Sequence, residues 1–263
     1  MRLDVYLTEK GHAESRQRAK VLIVGGYVKV NDVIVTKPAF DITEKDAVVV
    51  SGDPIGYVSR GALKLKAAFE AFGLDSTSKV AADIGASTGG FTEYLLTKGA
   101  SKVYAVDAGT DQLAAKLRTD SRVVSMEKYN ARNLDIADFD GGVDLAVMDV
   151  SFISQTLILP ALNGILKEES FLVSLIKPQF EAGREALGKG GIVKNPVSRA
   201  MAAKRVIDCA RENGLVLVGL VPSPIRGGDG NIELLACFSK GGALPAYSGN
   251  IDLLISETVK EHA

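Results

Sequence analysis

The stretch Val80-Ala81-Ala82-Asp83-Ile84-Gly85-Ala86-Ser87-Thr88-Gly89-Gly90-Phe91 decides the fold. Its first five residues read as a buried strand, the small residues after Ile84 as a tight loop, and Phe91 lies where a helix opens. Small residues in that place let the backbone approach a ligand closely. A dinucleotide site wants G-x-G-x-x-G, and Ser87 stands where the second glycine should be; the Gly-Lys-Ser/Thr end of a phosphate loop is absent. What remains is a cofactor with a compact amino-acid part and an adenosine part. The next apolar run ends at Asp107, 22 residues beyond Gly85, where an acid can accept hydrogen bonds from both ribose hydroxyls.

Outward from this loop, apolar runs at 80–84, 103–106, 123–126, 145–150, 171–176, 215–221 and 232–238 alternate with helical segments. That cadence predicts an α/β fold with a doubly wound, Rossmann-like sheet. Asn195 caps a helix that Pro196 opens and Gly214 follows. No helix fits between the last two strands, across Pro222 to Gly230, so they should pair antiparallel. The 263 residues suffice for one large domain and a small one, and 46% hydrophobic with 24% charged residues is an ordinary globular composition. Cys209 and Cys237 sit in apolar stretches, which excludes a disulfide framework and a cysteine-rich zinc module; no metal site is expected. The amino terminus lacks a signal-peptide core, and the most apolar run, Leu215 to Val221, falls far short of the ~20 residues of a membrane span. A cytoplasmic protein with no membrane partner is expected.

The formal net charge of −1 announces no nucleic-acid partner. Between residues 10 and 29, however, Lys10, Arg16, Arg18, Lys20 and Lys29 face Glu14 alone. Leu3 and Leu7 mark one short helix and Ser15 caps a second through Ala19, Leu22 and Ile23, ended by Gly25-Gly26. Tyr27 to Val35, with a corner at Asn31-Asp32, reads as a β-hairpin. The basic groups could touch phosphates at one end of this unit, or form a solvated helix face. Arg2-Leu3-Asp4-x-x-Leu7, Ser15-Arg16 and Gly26-Tyr27-Val28-x-Val30-Asn31 closely resemble the S4 RNA-binding domain, an α+β unit. The resemblance implies RNA contacts by Arg2, Arg16, Arg18 and Lys20, with Arg60 beyond; Asp32 departs from the glycine common after the asparagine. Asp53-Pro54-Ile55-Gly56 reads as a linker. The expected division is 1–57 for this unit, 58–245 for the large domain and 246–263 for a tail or helix.

Asp149, Lys177 and Glu233 each place a charge at or within an apolar strand, which is costly unless the charge is paired or functional. Ligands in such sheets bind beyond the carboxyl ends of the strands, so Asp149 and Lys177 should face the cofactor crevice. Ser59-Arg60-Gly61-Ala62-Leu63-Lys64-Leu65 opens an amphipathic helix and adds Lys64; Lys66, two residues on, points to another face. Asp83, the glycine loop and Asp107 resemble the S-adenosylmethionine site of Rossmann-like methyltransferases. That resemblance implies S-adenosyl-L-methionine held by Asp83, Gly85, Ser87, Gly89, Gly90, Phe91, Asp107, Asn130 and Asp149, with Asn130 and Ala131 meeting adenine.

Lys64, Asp149, Lys177 and Glu233 fall in the motifs and order of the Lys-Asp-Lys-Glu tetrad of FtsJ-type 2′-O-ribose methyltransferases. With the S4-like unit in front, residues 1 to 240 closely resemble the TlyA (haemolysin A) family of ribosomal RNA 2′-O-methyltransferases. The resemblance implies a cytidine ribose of ribosomal RNA, on an assembled subunit or a large folded RNA, as the substrate. The chain begins almost directly at the S4 motif, and such short family members tend to modify 23S RNA alone, so 23S is expected ahead of 16S. A ribose hydroxyl is a poor nucleophile and must be held in line while its proton leaves. Lys177 could be the base, or stay charged and stabilise the developing oxyanion; the residue types leave both open. Two other readings are a membrane-active haemolysin and an inactive RNA-binding module. The glycine-bearing segment after Lys177, with Arg184 and Lys189, could order over substrate or be a surface loop, as could Arg226 to Gly230. Phe152 and Phe180 could stack on a base or belong to core or rim. His12 reads as a surface residue.

Overall fold

Leu3 and Leu7 are fully buried and form one face of α1 (Leu3–Glu9), against Ala19, Leu22 and Ile23 of α2 (Arg16–Val24). These elements belong to a computed structural model that describes residues 1–13, 15–24, 26–50, 56–227 and 229–260. Gly25, most of the expected linker (Asp53, Pro54, Ile55), Glu14 and Gly228 lie outside the described residues. The chain divides into two units, Met1–Ser59 and Arg60–Ala263.

In the first unit Ser15 Oγ accepts from the Arg18 amide at 3.2 Å, the cap expected from the sequence. Strands β1 (Val28–Val30) and β2 (Val33–Ile34) form the hairpin, and a third strand not read from the sequence, β3 (Val48–Val50), pairs on the other side of β1. The corner residues Asn31 and Asp32 have φ of 50° and 63°. That left-handed pair is the geometry of a tight hairpin turn, and aspartate tolerates it well enough to stand where glycine is common. Asn31 also accepts from the Ala47 amide and donates to Asp46, which ties the turn to the chain entering β3.

The second unit opens with α3 (Gly61–Phe72), then β4 (Val80–Ile84), α4 (Gly90–Thr97), β5 (Lys102–Val106), α5 (Ala115–Arg118), β6 (Val123–Met126) and β7 (Val143–Met148). It continues through α6 (Leu159–Ile165), β8 (Leu166–Ile176), α7 (Pro178–Glu181), α8 (Pro196–Glu212), β9 (Val216–Pro222), β10 (Leu234–Ser239) and α9 (Ile251–Thr258). The sheet order is β6-β5-β4-β7-β8-β10-β9, parallel except that β10 runs antiparallel to both neighbours, as the helix-free connection from β9 required. The strand order reverses between β4 and β7, the place where sheets of this kind bind ligands. Ile84, Val106, Met148 and Ile176, the last residues of their strands, are buried, so the apolar core continues up to the loops that carry the polar groups.

Only β4 and β6 keep both expected boundaries, and two of the shifts bear on the site. The fourth strand of this sheet in chain order, β7, stops at Met148, and the chain turns so sharply that Phe152 adopts φ +63°. The last strand starts at Leu234 because Asn231 belongs to the preceding turn, where its side chain accepts from the Val193 amide and donates to the Gly191 carbonyl. Among the described residues no helix is long and apolar enough to cross a membrane.

Candidate active site

The loop after β4 crosses the switch point at its narrowest. A Cβ on Gly85, where φ is +84°, would lie 2.4 Å from the Asp149 carbonyl oxygen, so the chain after β7 closes off any side chain there. Ser87 adopts φ +48°, a conformation glycine takes freely and serine seldom does, and its amide donates to Asp107 Oδ2 at 2.7 Å. The second carboxylate oxygen accepts from the Gly109 amide at 2.7 Å. These bonds fix the acid at the end of β5 and leave each oxygen a further lone pair. A cavity of about 310 Å³ opens beside it, lined by Gly85, Ser87, Asp107, Asn130, Ala131, Asp149 and Phe152, among others. Asn130 caps a short 3₁₀ turn by accepting from the Arg132 amide, which holds the Asn130-Ala131 edge of the cavity.

The rest of the loop does not line this cavity. Gly89, at φ +93°, would place a Cβ 2.3 Å from Leu117 Cδ1, so packing against α5 requires glycine there. Gly90 and Phe91 are buried in the first turn of α4. Asp83 is fully buried behind the loop, where Thr92 Oγ1 donates to its Oδ2 at 2.7 Å and Oδ1 has no partner. Burial pushes its pKa up to about 7; the Thr92 hydrogen bond opposes the rise, and the negative charges of Asp149 and Asp107 add to it.

The four tetrad candidates form two pairs. Lys177 Nζ lies 2.6 Å from Asp149 Oδ1 and donates to Ser151 Oγ at 2.8 Å. Lys64 Nζ donates to Glu233 Oε2 at 2.5 Å, and both residues are almost wholly buried, 8% and 3% exposed. Lys66 by contrast points outward to Glu70. Leu234 pairs with Ile176 in the antiparallel ladder, so the next step of the register sets Glu233 beside Lys177. Because β10 runs antiparallel, its amino end meets the carboxyl ends of its neighbours. Gly85, Asp149, Lys177 and Glu233 thus stand at one edge on four successive strands, about 4.8 Å from strand to strand.

Around the cavity mouth, Phe152 is 92% exposed, which excludes a core role, and its ring lies 5.2 Å from that of half-buried Phe180. Glu181, a residue the sequence reading passed over, accepts from Ser154 Oγ at 2.6 Å and the Gln155 amide at 2.8 Å, fastening the turn after β7 to α7. Burial raises its pKa against those two hydrogen bonds. Ser151 was also passed over. Its only signal in the sequence is its place two residues beyond Asp149.

In the first unit Asp4, fully buried, accepts from Arg2 at 2.9 Å and Arg16 at 3.1 Å, and the Arg2 hydrogen bond above all holds its carboxyl far below the usual range. The two arginines remain about half exposed. Lys20, one turn beyond Arg16, is exposed, while Arg18 is half-buried and faces another way round α2. Arg60 is exposed at the start of α3. Among the described residues no group of three or more His, Cys, Asp or Glu could hold a metal ion.

Comparison with known proteins supplies the context. The FtsJ-like methyltransferase family matches residues 57–240 and the S4 domain family residues 1–48. YqxC of Bacillus subtilis is 49% identical over 235 residues, covering 89% of this chain and 84% of that protein. TlyA of Mycobacterium tuberculosis, named a 16S/23S rRNA (cytidine-2′-O)-methyltransferase, is 45% identical over 233 residues, covering 88% and 87%. A solved structure from Streptococcus thermophilus that carries a hemolysin name is similar with a TM-score of 0.78 at 43% identity, covering 99% of this chain and 94% of that one.

Proposed function

The chain belongs to the TlyA (haemolysin A) family, an S4 domain followed by an FtsJ-like methyltransferase domain, and we propose that it methylates the ribose 2′-hydroxyl of a cytidine in ribosomal RNA. The observation that carries this reading is the Lys177–Asp149 pair, whose aspartate lines the cavity that Asp107 and Ser87 edge. Lys64, Asp149, Lys177 and Glu233 form its catalytic tetrad, in which Lys177 meets the substrate and the other three position it. The cofactor is S-adenosylmethionine, and the cavity suits it: Asp107 offers acceptors for a ribose diol, Asn130 and Ala131 edge a slot for adenine, and Gly85, Ser87 and Asp149 border the remainder. When bound, it supplies a methyl group activated by a sulfonium.

Lys177 is the residue placed to meet the substrate 2′-oxygen. Its Nζ holds to Asp149 and Ser151, which fixes its direction. In this reading Lys177 donates a hydrogen bond to the oxygen as negative charge develops, while the substrate proton passes to solvent. Lys64 and Glu233 brace the neighbouring strand end and act as positioning partners for Lys177. Arg2, Arg16, Arg18 and Lys20 of the S4 domain, with Arg60, contact RNA phosphates, with Arg2 and Arg16 set side by side by Asp4.

The substrate is an assembled ribosomal subunit in the cytoplasm, with the 23S RNA first, one of the two RNAs for which the mycobacterial relative is named. The test is transfer of labelled methyl from S-adenosylmethionine to separately purified, unmodified small and large subunits. Label on the large subunit supports the reading; label on the small subunit alone corrects the choice of RNA. No label on either, with cofactor bound, overturns it in favour of an inactive RNA-binding module. Leakage of liposomes by the pure protein would revive the haemolytic alternative.

A further inference from the structure

Two glycine-bearing loops meet beside Glu233, and the function proposed above uses neither. Residues 188–195 lead into α8, and residues 223–231 join β9 to β10. The second loop leans on the tetrad: the Ser223 amide donates to the Glu233 carbonyl at 2.9 Å, and a Cβ on Gly227 would lie 2.5 Å from Glu233 Oε1. Asn231, 1% exposed, clasps it to the first loop. Its side chain accepts from the Val193 amide at 3.0 Å and donates to the Gly191 carbonyl at 3.1 Å, while its own carbonyl accepts from the Gly227 amide at 2.9 Å. Arg199 of α8, buried, donates to the Lys194 carbonyl at 3.3 Å and to the Val259 carbonyl at 3.0 Å. The backbone on either side of the Lys194 side chain is therefore fixed by two buried residues.

The charge at this place is one-sided. The two loops carry Lys189, Lys194 and Arg226 against Asp229 alone, and all four are exposed. Lys189, Lys194 and Arg199 have no ion-pair partner among the described residues. Arg226 stands close enough to Arg199 that its charge adds to burial in lowering the Arg199 pKa. A local excess of cations on a fixed backbone favours an anionic ligand, and the phosphates of a nucleic-acid strand are met by lysine and arginine in this way.

We propose that the two clasped loops form a phosphate grip on the methyltransferase unit, in which Lys194 and Arg226 contact the backbone of the RNA strand that carries the target ribose and Asn231 is the positioning residue that holds them together. The inference rests on the ribosomal RNA reading above. Phosphate contacts carry affinity and orientation rather than sequence, so the grip holds the strand beside the tetrad and leaves the choice of nucleotide to other groups.

The experiment measures binding of the full chain to purified, unmodified large and small ribosomal subunits between about 50 and 200 mM salt, with methyl transfer and cofactor affinity followed in parallel. Replacing both cations, Lys194→Ala with Arg226→Ala, should weaken binding to the methylated subunit by about tenfold and reduce the slope of log affinity against log salt by about two, one for each lost phosphate contact. Cofactor affinity should match the wild type. The exchange Lys194→Arg with Arg226→Lys keeps both charges and should keep the slope. Asn231→Ala retains every cation, yet should flatten the slope because the loops separate; Asn231→Ser checks the same point should the alanine variant fail to fold. An unchanged slope in the double alanine variant overturns the grip, as does a loss of cofactor affinity equal to the loss of subunit binding. An unchanged slope in both Asn231 variants overturns the positioning role. A wild type that transfers methyl to neither subunit overturns the parent reading and this one together, whereas an active wild type with an unaltered slope in the double variant overturns only this one.

Discussion

Lys64 and Lys177 both end against a carboxylate at the same edge of the sheet, in different surroundings. The two lysines are alike, with side-chain exposures of 10% for Lys64 and 11% for Lys177, and the carboxylates differ: Glu233 is 3% exposed, whereas Asp149 is 21% exposed, lines the cavity and shares Lys177 with Ser151. Two further acids complete the contrast. Asp83 is buried and Asp107 faces the cavity, and neither has an ion-pair partner among the described residues. On the proposed function the more exposed acid answers to ligand and reaction and the enclosed one to stability.

The largest expected effect is at the open pair. Lys177→Ala should lower methyl transfer by about 10³-fold or more, within the range that a group acting on a proton or a developing charge provides, and should move the melting temperature by only a few degrees. A comparable loss of stability would erase the distinction between the pairs. At the closed pair, Lys64→Ala leaves Glu233 charged and unpaired, which should cost about 3–5 kcal/mol in urea unfolding. The double variant Lys64→Met with Glu233→Leu should recover most of that stability while remaining inactive. Recovery of activity along with stability would reduce the closed pair to scaffolding.

Asp83 sharpens the comparison because it is a buried acid without a cation. Its folded pKa of about 7 lies above the unfolded value of 3.8, so the folded state holds the proton more tightly. Stability linked to Asp83 is full below about pH 4, declines as pH rises through the folded pKa, and levels off beyond it. Thermal unfolding of the wild type and Asp83→Asn across pH 4 to 8 should show the wild type losing ground by up to roughly 4 kcal/mol. Parallel curves would show that the acid ionises freely inside the fold. The smallest effect is at Asp107, where Asp107→Ala should weaken cofactor binding by about 10- to 100-fold in calorimetry and leave unfolding within about 1 kcal/mol of the wild type. Unchanged affinity would remove Asp107 from the cofactor site.

Much of this edge is legible in the sequence because strand ends and loops are local. The run Val80 to Ile84 with its loop, the acid at Asp107 and the charges at Asp149 and Lys177 are read from apolar periodicity and spacing. What the sequence leaves hidden is which members of one motif face the ligand. Gly85 and Ser87 border the cavity, while Gly89, Gly90 and Phe91 pack inward, because the small residue at 89 answers to Leu117 on a later helix. The Lys64–Glu233 contact spans 169 positions, and no spacing rule reaches that far. Phe152 illustrates the same limit: in a mixed run the core and rim readings of an aromatic look alike, and the turn after β7 settles the matter by setting the ring outside. Arg16, Arg18 and Lys20 are close in sequence, yet helix geometry turns Arg18 away from the other two.

On the proposed function the Lys177–Asp149 pair directs methyl to a ribose oxygen. This is tested most directly by digesting enzyme-treated ribosomal RNA to nucleosides and identifying the methylated product by mass spectrometry, with Lys177→Ala in parallel. The expected result is 2′-O-methylcytidine from the wild type and none from the variant. A methyl group on a base, or 2′-O-methylcytidine formed at an undiminished rate by Lys177→Ala, would contradict it.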